Sequence, residues 1–160
     1  MTTIGVGDSP TIVRLRAAEP VDAHAMIDDL VATLTPRFQV VRRLGQGGMG
    51  TVYLGWDPLL RRNVAIKVLT PEFAADPSAK ARFIREAQAA AAVAHRNVVN
   101  IFQVGELQQT GAPYFVMQFI DGQTLDAAFP RGKPAAQSPA KRIIGEVAAA
   151  LAAAHARGLV

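Results

Sequence analysis

The sequence predicts an α+β fold, and three observations lead there. Five runs rich in β-branched and aromatic residues are bounded by turn residues. Three segments carry apolar residues at helical spacing. Strand-like and helical segments follow one another without any internal repeat. Half of the 160 residues are hydrophobic and 19% are charged, which suits a folded core and argues against disorder throughout.

Residues 1–18 hold Gly5, Gly7 and Pro10 and then the alternation Val13-Arg14-Leu15-Arg16, read as a mobile start with one weak strand. From Pro20 to Leu34 the period becomes helical. Met26, Ile27, Leu30, Val31 and Leu34 share one face, and Asp22, Asp28 and Asp29 are expected to face elsewhere. This helix ends before Pro36 and reads as an extension packed on the main domain, with no chemistry of its own. Phe38 to Leu44 and Thr51 to Trp56 are the first two strands, separated by a glycine-rich stretch. Asp57-Pro58 opens a loop with Arg61 and Arg62. Asn63 to Leu69 is a third strand, with Val64, Ile66 and Val68 on one face and Ala65, Lys67 and Leu69 on the other.

Asp76 can cap the next helix, with Pro77 at its first position, and the helix runs through Phe83 and Glu86 to about Ala94. Val98 to Val104 and Tyr114 to Phe119 are two further strands around a polar turn with Gly111 and Pro113. Asp121-Gly122 breaks the last strand. A short helix from Thr124 to Phe129 and a Pro/Gly-rich connection lead to a final helix over residues 139–156. Its apolar face is Ile143, Ile144, Val147, Leu151 and Ala154, and Gly158 can cap its end.

Composition removes several functions. There is no cysteine, so disulfides, thiolate catalysis and cysteine-ligated metals are excluded. His24, His95 and His155 form no ligand-spaced pair, so no metal site is expected. The net charge of +4 is spread over single and paired basic residues, a pattern of solvated surface and not of nucleic-acid binding. No transmembrane stretch or signal peptide is legible, which makes the cytoplasm the expected compartment.

Gly45-x-Gly47-x-x-Gly50 matches G-x-G-x-x-G, and what surrounds it decides its use. A dinucleotide-binding loop needs a helix directly after the glycines, and a Walker A loop needs Gly-Lys-Ser/Thr. Thr51-Val52-Tyr53-Leu54 is a strand, so the stretch is a glycine-rich hairpin whose bare backbone can approach phosphate. Lys67 follows on the inner face of a central strand, where a cation is costly unless it meets an anion. Ala65 points the same way, a combination that suits an adenine over Ala65 and phosphates at Lys67. Glu86 on the following helix is the candidate carboxylate to fix Lys67.

Five motifs occur in order: Leu44-Gly-Gln-Gly-Gly-Met-Gly-Thr-Val-Tyr53, Val64-Ala-Ile-Lys67, Phe83-Ile-Arg-Glu-Ala-Gln88, His95-Arg-Asn-Val-Val99 and Pro113-Tyr-Phe-Val-Met-Gln-Phe-Ile-Asp-Gly122. Together they resemble the N-terminal lobe of a Hanks-type protein kinase, most closely the bacterial serine/threonine kinases, over residues 36–160. The resemblance implies a five-stranded antiparallel sheet with one αC-type helix, followed by C-lobe helices cut short. It divides the chain into an extension (1–35), the N-lobe (36–120) and the hinge exit with the first C-lobe helices (121–160).

The family then implies roles. Gly45, Gly47 and Gly50 cover the phosphates of ATP. Lys67 and Glu86 are the catalytic pair, the lysine on the α- and β-phosphates and the glutamate holding it. Leu44, Val52 and Ala65 line the adenine pocket, Met117 is the gatekeeper, and Gln118, Phe119 and Ile120 form the hinge that reads the adenine edge. Two departures, Gln118 for an acidic residue and Arg96 for proline, are expected to leave the chemistry intact. The family's H-R-D-x-x-x-x-N loop would begin right after Val160, and its D-F-G lies further on. The expectation is therefore the ATP-binding part of a kinase acting on protein Ser/Thr, inactive alone, with the Mg²⁺ ligands absent. The alternative is a non-catalytic kinase-like module binding nucleotide or protein. The orphaned face of the 139–156 helix is expected to make the chain self-associate.

Overall fold

The computed structural model describes residues 21–129 and 137–159. The expected strand at 13–16, the Asp22 side chain and the connection after Phe129 lie outside what it describes. The chain begins with helix α1 (Val21–Leu34) and then builds a hairpin, β1 (Gln39–Gln46) and β2 (Gly50–Asp57), followed by β3 (Arg62–Leu69). Helices α2 (Pro71–Ala74) and α3 (Pro77–Ala92) connect to β4 (Ile101–Glu106) and β5 (Pro113–Gln118). Helices α4 (Leu125–Ala128) and α5 (Gln137–His155) follow. The five strands form one antiparallel sheet in the order β1-β2-β3-β5-β4.

The alternation along β3 divides the core in two. Val64, Ile66 and Val68 face one side, where Tyr53, Tyr114, Val116 and Phe38 join Met26, Leu30 and Leu34 of α1. Leu69 and Phe115 face the other, against Phe83 and Ala87 of α3. Burial of each large side chain contributes roughly 1.5–3 kcal/mol, so Met26, Leu30 and Leu34 bind α1 to the sheet and Phe83 is the large side chain that binds α3.

Four expectations change on folding. Asp29, expected to face away from the core, has 0% exposure. The polar turn between β4 and β5 lies over that side of α1, and its amides replace water around the carboxylate. Val31, expected on the apolar face, stays 43% exposed, because the buried stripe is the narrower Met26, Leu30, Leu34 set. Strand β4 starts at Ile101 and not at Val98. The β-branched Val98 and Val99 favour a strand, but a turn closed by Val98 N–H donating to His95 O takes their backbone. Helix α2 was not expected; Thr70-Pro71 starts it as a one-turn helix after β3.

Candidate functional site

The site is built on the α3 side of the sheet. Antiparallel partners directly opposite one another point to the same face. Lys67 pairs with Val52 and with Phe115, and Ala65 pairs with Met117. Register alone therefore puts Val52, Ala65, Lys67, Phe115 and Met117 on one surface.

Above that surface the β1–β2 hairpin closes over Gly47 and Gly50, with Gly47 N–H donating to Gly50 O at 2.8 Å. Thr70 N–H donates to Met49 O at 3.1 Å and ties the hairpin tip to the end of β3. The glycines differ in what they permit. A Cβ on Gly50 would lie 2.6 Å from Val68 O, so only glycine lets the hairpin base sit this close to β3. At Gly45 and Gly48 a Cβ would meet nothing within 4 Å, so the backbone there borders open space.

Below the hairpin, the Lys67 ammonium lies 2.6 Å from Glu86 Oε1. The lysine side chain is 22% exposed and the glutamate 51%, so this pair contributes at most about 1 kcal/mol to folding. What it fixes is the position of the charge. The rings of Phe83 and Phe115 stand 5.6 and 5.5 Å from the same nitrogen and present their faces to the cation.

Glu86 reaches Lys67 because of how α3 is seated. Asp76 Oδ1 accepts from Ser78 N–H at 2.8 Å and Pro77 occupies the first helical position, which fixes the helix start. Ala79, Phe83 and Ala87, four residues apart, form the buried stripe. The two alanines let the helix come close, and Phe83 packs on Phe115 with ring centroids 4.9 Å apart.

At the far end of β5, Gln118 N–H donates to Asn100 O at 2.9 Å, and its side-chain carbonyl accepts from Asn100 Nδ2 at 3.2 Å. That amide is thus already engaged within the protein. Ile120 is 64% exposed and Leu44 37%, so neither side chain belongs to the buried core. Phe83 and Phe115 were not singled out as site residues from the sequence. The signals were there: Phe83 sits one helical turn before Glu86, and Phe115 two residues before Met117.

A glycine hairpin over a lysine that is held by a glutamate from the next helix is the arrangement the motifs implied. Residues 38–160 match the family model of the protein kinase domain. This chain belongs to the protein kinase family. The chain is 38% identical over 161 aligned positions to serine/threonine-protein kinase Pkn1 of Myxococcus xanthus, matching 94% of this chain and 22% of that protein. It is 42% identical over 125 residues to the probable serine/threonine-protein kinase PknB of Lactococcus lactis, matching 78% of this chain and 20% of that protein. Among solved structures, the kinase domain of PknI from Mycobacterium tuberculosis aligns at a TM-score of 0.62 and 34% identity, over 77% of this chain and 50% of that one. The chain thus spans about a fifth of these curated relatives and half of the solved kinase domain. Among the described residues no helix is long and apolar enough to cross a membrane.

Proposed function

We propose that this lobe binds ATP under the β1–β2 hairpin and presents it for transfer of the γ-phosphate to Ser or Thr of a protein substrate. The observation that carries this reading is the 2.6 Å Lys67–Glu86 pair on the face the hairpin covers. A cation held by one carboxylate oxygen keeps its other donors for phosphate oxygens. The backbone of Gly45, Gly47 and Gly50 follows the phosphates from above. Leu44, Val52 and Ala65 enclose the adenine, Met117 limits the depth of its pocket, and backbone groups of Gln118, Phe119 and Ile120 recognise its edge.

Phosphoryl transfer depends on positioning and on neutralising developing charge. Lys67 supplies both toward the α- and β-phosphates. Mg²⁺ adds charge neutralisation when bound. Among the described residues no group of three His, Asp or Glu side chains could hold a metal ion, so they do not fit that ion's site. Residues 1–160 also contain no H-R-D-x-x-x-x-N run and no D-F-G. In this reading these 160 residues bind and orient the nucleotide and transfer no phosphate unaided. The cytoplasm, where ATP is abundant, is the compartment we assign to the lobe.

Calorimetric titration of the chain with a non-hydrolysable ATP analogue tests the site. Loss of charge-assisted contacts of about 1.5–3 kcal/mol should weaken binding roughly ten- to a hundredfold in Lys67→Met. Glu86→Gln should weaken it less. Equal affinity for the wild type and Lys67→Met would remove the proposal.

A further inference from the structure

Asp29 makes one contact within α1, to Thr33, and several beyond it, to the β4–β5 turn. Its Oδ2 accepts from Thr110 N–H at 2.8 Å and from the Thr110 hydroxyl at 2.9 Å. Gln109 N–H donates to both oxygens at 3.1 Å, and the Thr33 hydroxyl donates to Oδ1 at 3.2 Å. Thr33 Oγ1 in turn accepts from Gln108 N–H at 3.0 Å. Three successive amides of the β4–β5 turn, 108 to 110, are thus satisfied by α1, in the manner of an anion seated in a backbone nest.

The other side of the same turn holds α3. Lys80 Nζ donates to Gly111 O at 3.1 Å. Gly111 has a φ of +63°, a conformation that L side chains rarely adopt. Lys80 lies in the opening turn of α3, the end where the helix dipole disfavours a cation, so a carbonyl partner there offsets an intrinsic penalty. Six residues on, about 9 Å along the axis, is Glu86. The contacts therefore run without a gap from Asp29 through the turn to Lys80, and along one rigid helix to the Lys67–Glu86 pair.

We propose that Asp29 is a positioning residue for that pair: by fixing the 107–112 turn it holds Gly111 O against Lys80 and keeps α3 seated with Glu86 on Lys67. The inference rests on the nucleotide-site reading for its functional meaning, but its physical content is a coupling between α1 and α3. Outward rotation of α3 would break the Lys80 contact and pull Phe83 from its place on Phe115. An intact α1 opposes that movement. Helix α1 is within the stretch matched in Pkn1: 94% of 160 residues leaves about ten unmatched, too few at either end to reach residue 21.

Hydrogen exchange read by mass spectrometry on the full chain, without nucleotide, tests the coupling. Asp29→Asn should speed exchange in the 107–112 turn and in α3, the latter about tenfold, in the usual range for coupled sites. Lys80→Met should speed α3 to a similar extent while the turn stays protected. In the double variant α3 should exchange no faster than in Lys80→Met alone, because both act along one route. Rescue by Asp29→Glu of the turn and of α3 together is also expected. Should Asp29→Asn fold poorly, Thr33→Val, which removes only the Gln108 contact and one donor to Asp29, should give the same pattern at smaller size. A loosened turn with α3 at the wild-type rate, or rates that multiply in the double variant, would overturn the proposal. Neither result bears on whether ATP binds, which the Lys67→Met titration decides separately.

Discussion

Lys67 stands where a central strand would ordinarily carry an apolar side chain, and its neighbours make that tolerable: one carboxylate oxygen, two ring faces and partial access to water. Asp29 solves the same problem with the opposite charge. Burial alone would raise its pKa. The Thr110 and Gln109 amides, with the Thr110 and Thr33 hydroxyls, outweigh burial and hold it below its ordinary value of 3.8. The sign follows from linkage. A carboxylate whose folded pKa is depressed stabilises the fold fully above the unfolded pKa, and the contribution is lost as pH falls through the folded one. Urea unfolding of the wild type and Asp29→Asn should therefore differ by about 2–3 kcal/mol at neutral pH. That gap should persist to near pH 5 and shrink only below about pH 4. A gap that closes between pH 7 and 5 would contradict the assignment.

Element α3 shows what a short sequence pattern decides. Glu86 stood out as the partner of Lys67 through the resemblance carried by the five motifs together, whereas the helix start was legible in Asp76-Pro77, because capping acts within a few residues. The β1–β2 hairpin was legible for the same reason: the glycines and the strand after them are contiguous. What could not be read were contacts between distant segments. Nothing local marks Asp29 as buried, since the amides that surround its carboxylate lie about 80 residues on. Nor does anything local mark Lys80 as the residue that meets Gly111. Phe83 is the apolar anchor of α3, fully buried against Leu69 and Phe115. Phe83→Ala should cost about 3–5 kcal/mol. It should also speed α3 exchange beyond the exchange of the sheet, a difference that hydrogen-exchange mass spectrometry resolves. Equal acceleration of α3 and β3 would mean that Phe83 supports the whole lobe and not the seating of α3.

At the scale of the molecule, the sheet is covered on both faces, by α1 and by α3, while the last helix is not covered in the same way. Ile144, Val147 and Leu151 of α5 are 67%, 47% and 52% exposed. Of these, Ile144 joins Leu125, Phe129 and Ile143 in lining an open apolar groove of about 360 Å³ between α4 and α5. Contiguous apolar surface of this kind favours association. The 160-residue chain should sediment as a self-associating species, and replacing Ile144 and Leu151 by Glu should return it to monomer. A concentration-independent monomer before substitution would contradict this.

The central claim is that Lys67 meets the phosphates of ATP, and an acyl-phosphate derivative of ATP tests it most directly. A lysine amine near the bound phosphates attacks the acyl carbon, forms an amide and releases the nucleotide, leaving the label on that side chain. The chain has four lysines, Lys67, Lys80, Lys133 and Lys141, so peptide mass spectrometry can compare all of them in one experiment. The account predicts labelling concentrated on Lys67 and suppressed by excess ATP. Labelling spread evenly over the four lysines, or labelling of Lys67 that ATP does not reduce, would contradict it.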